Sequence, residues 1–161
     1  MRKGNIIIKN AAQVVTCSGF KQKKGKEMSD LSVIENGTAV ITGGIITYVG
    51  KDIPAIDNIS DYAVIDATGK ALLPGVIDSH THFVCGGYRE EEFSWRMRGD
   101  SYMSIMERGG GIHNTMNATR KASFEKLKES GRKRLDKMLA MGVTTVEGKS
   151  GYGMNMETEL K

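Results

Sequence analysis

The sequence predicts an α/β chain: a small all-β part over residues 1–73, then the opening of a parallel α/β sheet over residues 74–161. Three observations predict it. Before residue 74 the apolar runs are short, rich in Ile and Val, and separated by glycines and polar residues. Pro74-Gly75 then interrupts the pattern. After it comes a β-rich run (GVIDSH), one clear amphipathic helix (SFEKLKESGRKRLDKMLAMG) and a second β-rich run (VTTVEGKS). Strand, helix, strand is the order by which a chain builds parallel pairs.

In the first part, NIIIKN and QVVTC each read as a short strand, with a basic loop after them. In TAVITGGIITYVG two β-rich runs flank Gly43-Gly44, a hairpin signal because paired glycines supply the positive φ of a tight turn. YAVIDATGKALL continues in the same style. In the second part, Phe124, Leu127, Leu135, Met138 and Leu139 recur at helical period, Ser123 stands at an N-cap position and Gly142 at a C-terminal one. NMETELK reads as the first turn of another helix.

A hydrophobic fraction of 39% and a charged fraction of 26% place the chain among soluble globular proteins, and no apolar stretch approaches a membrane span. The basic start at Met1, Arg2 and Lys3 is followed by too short an apolar run for a signal peptide. Cys17 and Cys85 lack metal-type spacing; no structural disulfide and a reducing, cytoplasmic setting are expected. Net charge is only +4, and the run KQKKGK (Lys21 to Lys26) has no interleaved aromatics, so it reads as a solvated loop and no nucleic-acid partner is expected.

The chemistry concentrates in ALLPGVIDSHTHFVCGG. His80 and His82 are two of only three histidines. Residues i and i+2 of a strand project to one side, so two imidazoles at a strand's C-terminal end can hold one metal ion. By itself the pair equally suits two polar residues bonded to backbone at a strand end. Asp78, on the same face, reads as a buried supporting residue. GKS at 148–150 is not a phosphate loop, because the glycine required five residues earlier is Val143. Gly109 to Gly111 read as a flexible lid or tight turn, and His113 as a surface residue.

LLPGVIDSHTH resembles the signature of the amidohydrolase superfamily, and GGYREEEFSWRMRGDSYMSIMERGGGI with GVTTVEGKSGYGMNMETELK resembles its imidazolonepropionase family, from about Leu72 to Lys161. The resemblance implies the start of a metal-dependent (β/α)8 barrel preceded by part of a β-sandwich. A whole barrel takes about 250 residues, so two of its strands would be present here. It implies one transition-metal ion, zinc or iron, on His80 and His82. A further histidine and an aspartate, the latter the general base, would lie beyond Lys161. It implies hydrolysis of the ring C–N bond of 4-imidazolone-5-propanoate to N-formimidoyl-L-glutamate, with no membrane partner and a homodimer at full length. The first 161 residues alone are expected to be inactive.

Substrate roles come from the same likeness. Arg89 would grip the substrate carboxylate; taken alone, it reads rather as a surface arginine paired with Glu90, Glu91 or Glu92. Tyr152, between Gly151 and Gly153, would contact substrate; read alone, it equally caps a rim. Tyr102 would serve the same pocket, or sit in a helix beside Met103 and Met106. Lys149 lies on the wrong strand for a carbamylated bridge, so one metal is expected rather than two. Cys85 and Gly148 depart from the family, and Gly148 should weaken its strand. Other amidohydrolases, a deaminase or a hydantoinase-like enzyme, and a non-catalytic binding module are the competing readings.

Overall fold

A computed structural model describes residues 4–161, so the basic start at Met1 to Lys3 lies outside the described residues. The chain forms two compact units, one ending at Pro74 and the other beginning at Gly75.

The first unit is a single mixed sheet. Its strands are β1 (Ile6–Val15), β2 (Val33–Thr42), β3 (Ile45–Gly50), β4 (Ala63–Asp66) and β5 (Ala71–Leu72). They run β3-β2-β1-β4, with β5 also on β1. β2 is antiparallel to β1, whereas β4 and β5 are parallel to it. Gly43 (φ 61°) and Gly44 (φ 86°) make the expected hairpin turn between β2 and β3. The two strands expected from NIIIKN and QVVTC are instead one. Asn10, at φ 60°, carries a bulge where the register with β2 shifts between Ile8 and Ala11. Ile7 before the bulge and Ala11 and Val14 after it are all buried. Ala11, Val14 and Ala67 form the core, with Ile8, Ile34, Val49 and Leu72 packed on it. The described residues of the first unit hold one sheet, so the expected sandwich is not seen within this unit. Lys21, Lys24 and Lys26 are exposed, and the half-buried Lys23 pairs with Asp30 at 3.0 Å.

The second unit holds two parallel strands, β6 (Val76–Thr81) and β7 (Val143–Gly148), in a mixed α/β arrangement. Two strands do not close a barrel. Four helices lie between them in sequence: α1 (Glu90–Met97), α2 (Tyr102–Glu107), α3 (Ile112–Lys121) and α4 (Phe124–Ala140); α5 (Met156–Leu160) comes after β7. The Ser123 hydroxyl accepts from the Lys126 N–H and caps α4, and Gly142 turns the chain into β7 with φ 87°. The buried stripe of α4 differs from the one its periodicity suggests. Leu127 and Gly131 are buried, whereas Phe124 and Leu139 are 51% and 62% exposed. Gly131 decides this: a Cβ there would stand 3.2 Å from Val84 Cγ2, so the loop after β6 packs on the helix at its one side-chain-free position.

Gly148 does not interrupt its strand. It is the last residue of β7, opposite Thr81, and a Cβ on it would lie 2.6 Å from Phe83 Cε1. A larger residue would have to displace that ring.

Candidate functional site

Because β6 and β7 are parallel, their C-terminal ends share one edge, and the segments leaving the two strands meet there. His80 and Thr81 end β6 and His82 comes next; Tyr152 lies four residues past the end of β7. The His80 and His82 ring centroids are 5.7 Å apart, and the Tyr152 ring is 4.9 Å from that of His82. Asp78 is half-buried, and its Oδ1 accepts the His80 N–H at 3.1 Å, which steadies the strand end. An open cleft of about 360 Å³ lies here, bordered by His80, His82, Arg89, Tyr152, Arg134 and Thr115 among others.

Arg89 is on the cleft and also in an ion pair. Its Nε and Nη2 reach Glu92 Oε2 at 2.8 and 2.7 Å. That bond, less the effect of burial, raises the guanidinium above its ordinary pKa, and the Tyr152 and Tyr102 hydroxyls add to the effect. Tyr102 itself is 52% exposed, opens α2 and stacks under Arg96 at 6.0 Å; it does not border the cleft. His113 is exposed. Lys149 pairs with Glu147 at 2.9 Å. The glycines at 109–111 form a tight turn between α2 and α3, with Gly110 and Gly111 buried.

Three further residues shape the cleft. Arg134, half-buried on α4, donates through Nη1 to the carbonyls of Phe83 and Cys85, both at 2.9 Å, and so straps down the segment between His82 and Arg89. Thr119 Oγ1 accepts the Gly86 N–H at 2.9 Å in the same segment. Glu159 accepts the N–H groups of Gly151, Gly153 and Met154 at 2.8–2.9 Å, closing the loop that carries Tyr152. None of these announces itself by spacing, since each bonds to backbone far along the chain or across a turn.

Those N–H donors hold the Glu159 carboxyl below its ordinary value of 4.5. A depressed carboxylate stabilises the fold above its unfolded pKa and loses that contribution as pH falls through its folded pKa. Acidification below 4.5 is therefore expected to loosen the Tyr152 loop. Amide exchange at Gly151, Gly153 and Met154 should quicken there, and Glu159→Gln should quicken it already at neutral pH. Unchanged exchange in that variant would mean that the carboxylate does not hold the loop.

Among the described residues no group of three or more His, Cys, Asp or Glu surrounds a point where a metal could sit. The pair alone still suits one. Two imidazoles leave the same strand end, and Nδ1 of His82 is buried without a hydrogen-bond partner among the described residues, a costly state for a ring nitrogen that lacks a ligand. Gly151, across from it, leaves space, since even a Cβ there would be 3.9 Å from that nitrogen.

No family model matches the chain. Imidazolonepropionase of Parabacteroides distasonis is 60% identical over 99% of this chain and 39% of its own length. The Clostridium tetani protein of that name is 58% identical over 100% of this chain and 39% of its own, and a Porphyromonas gingivalis one 56% over 98% and 38%. The chain thus spans about two-fifths of the length of the curated relatives it matches. Among solved structures, a prolidase complexed with N-methylphosphonate-L-proline superposes on 91% of this chain and 26% of its own, with TM-score 0.58 and 17% identity. A triazine hydrolase variant does so on 91% and 28%, with TM-score 0.59 and 23% identity. At such identities these two bear on the fold alone.

Proposed function

We propose, from a chain homologous throughout to the N-terminal part of imidazolonepropionases, that it belongs to a hydrolase opening the ring of 4-imidazolone-5-propanoate in histidine degradation. The observation that carries this reading is the shared cleft: two histidines able to hold a metal, beside an arginine and a tyrosine able to hold a carboxylated ring. We read the two strands of the second unit as the first of a (β/α)8 barrel and the sheet of the first unit as one layer of a sandwich, in keeping with the solved relatives' fold. His80 and His82 would hold one transition-metal ion, zinc or iron, through imidazole nitrogens. When bound, such an ion acidifies water and polarises a carbonyl.

The chain's own groups bind and orient the substrate. Arg89 offers N–H groups to the propanoate carboxylate as a planar fork. Tyr152 rests on the His82 ring and borders the cleft, where its hydroxyl would orient the imidazolone ring. Glycines on either side of Tyr152 let substrate approach the backbone. A deaminase or hydantoinase-like activity would give no reason for a carboxylate-gripping arginine here. A non-catalytic binding module fits less well, since identity of 56–60% runs through the whole segment.

The test is product analysis and kinetics on a chain of the relatives' full length. Formation of N-formimidoyl-L-glutamate is expected. Arg89→Ala should remove about 1.5–3 kcal/mol of binding, or roughly one to two decades of kcat/KM. Arg89→Lys should recover only part, because an ammonium lacks the fork. Both variants matching the parent would return Arg89 to a purely structural pairing with Glu92.

A further inference from the structure

Glu92 has no part in the chemistry so far, yet it is the most deeply buried charge of the second unit, only 3% exposed. A carboxylate withdrawn from water is costly unless its lone pairs find donors. Here they do. Oε2 takes both Nε and Nη2 of Arg89, at 2.8 and 2.7 Å. Oε1 takes the Gly111 N–H at 2.9 Å and lies 3.5 Å from Asn114 Nδ2. Burial pushes the carboxyl's pKa up, but these bonds and the Arg89 charge outweigh it and hold it below its ordinary value. Both Oε2 bonds fall on one edge of the guanidinium. Nη1 makes no hydrogen bond among the described residues, and the Arg89 side chain borders the cleft.

We infer that Glu92 is a positioning residue for carboxylate capture: it grips the Nε–Nη2 edge of Arg89 and sets the plane in which the remaining N–H groups meet the substrate. The inference rests on reading Arg89 as the carboxylate-binding residue. Its physical basis is pre-organisation. A free arginine is rich in rotamers and must freeze when a ligand arrives. An arginine already clamped has met that cost on folding. The clamp is itself fixed at two further points, because Glu92 also ties down the buried glycine turn before α3. Pairing also balances the charge of the Arg89 guanidinium, so this side chain offers directed donors rather than an unpaired positive charge. That favours a planar carboxylate over anions in general.

The experiment uses the full-length enzyme with 4-imidazolone-5-propanoate and with its methyl ester, comparing Glu92→Gln, Arg89→Ala and the double variant. Glutamine keeps the size but turns an NH2 toward a donor. Glu92→Gln is expected to raise KM for the acid about tenfold, with a smaller effect on kcat. The ester's KM should barely move. The double variant should be no worse than Arg89→Ala alone, because no guanidinium remains to orient. Glu92→Asp keeps the charge and should recover part of the loss; it also carries the cycle should the glutamine variant fail to fold. Additive losses in the double variant, or equal losses for acid and ester, overturn the positioning role and leave Glu92 a structural anchor. An Arg89→Ala enzyme with unchanged KM for the acid overturns instead the reading of Arg89 beneath it.

Discussion

Replacing both His80 and His82 with alanine in a chain of full length is expected to abolish stoichiometric metal content and lower turnover by at least about a hundredfold to a thousandfold. The expectation rests on geometry. The two rings leave one strand end with centroids 5.7 Å apart, and a buried Nδ1 on His82 has no partner among the described residues. Imidazole nitrogens suit zinc and iron alike. Each single alanine should lower metal affinity sharply, because a four-ligand site that loses one donor cannot recruit another from this face. Asp78 is committed to the His80 N–H, and no third His, Cys, Asp or Glu lies within reach among the described residues. Elemental analysis of parent and variants after dialysis reads this directly, independently of activity. Equal metal in parent and double variant would show that the pair is only a polar strand end.

Gly86→Ala should be the most damaging small change to the fold around the cleft, at about 3 kcal/mol, the upper end for overpacking a buried position. Gly86 is buried against α3, and a Cβ on it would lie 2.5 Å from Ala118 O, 2.6 Å from Ala118 C and 2.7 Å from Thr119 N. These are backbone atoms of a helix, so no rotamer change relieves the contact. Either α3 or the loop must move. The loop joins His82 to Arg89 and is pinned by Thr119 on one side and Arg134 on the other. A shift would separate His80 and His82 from Arg89. The expected result is a Tm lowered by roughly 2–4 °C for each kcal/mol lost, with a parallel drop in kcat/KM. Parent-like melting and kinetics would show that the loop does not lie against α3 in this way.

Much of the site was legible because its residues sit at strand ends, where local pattern and function coincide. The spacing of His80 and His82 predicts their common side from the period of a strand alone. Tyr152 was legible through its flanking glycines and its place after a β-rich run. Arg89 could be read two ways; in the structure one edge pairs with Glu92, and the residue also borders the cleft. Tyr102 was less legible, because its position in a short helix could not reveal which neighbour its ring would meet.

The helices α1 to α3 were not legible as elements. They are short, polar and glycine-separated; only α2 has a side-chain cap, from Ser101, and the residues buried in α1 and α3 are polar, Glu92, Thr115 and Thr119. The same holds for the merger of two expected strands into β1, which depended on Asn10 accepting a positive φ inside a ladder.

By itself the sequence determined the alternation and turn chemistry that make strands, the capped helix α4, the break at Pro74-Gly75 and the two histidines at a strand end. These are local matters, decided within a few residues by sterics and periodicity. Only the tertiary structure decided that β6 and β7 run parallel with their ends together, bringing His82 against Tyr152 from 70 residues away. It alone decided that Gly131, Gly86 and Gly148 are the places where side chains or backbone crowd in, and that Glu92, Arg134 and Glu159 hold the segments bearing the functional groups. Contacts of that kind are set by which surfaces meet when the chain closes, and no single stretch of residues carries that information.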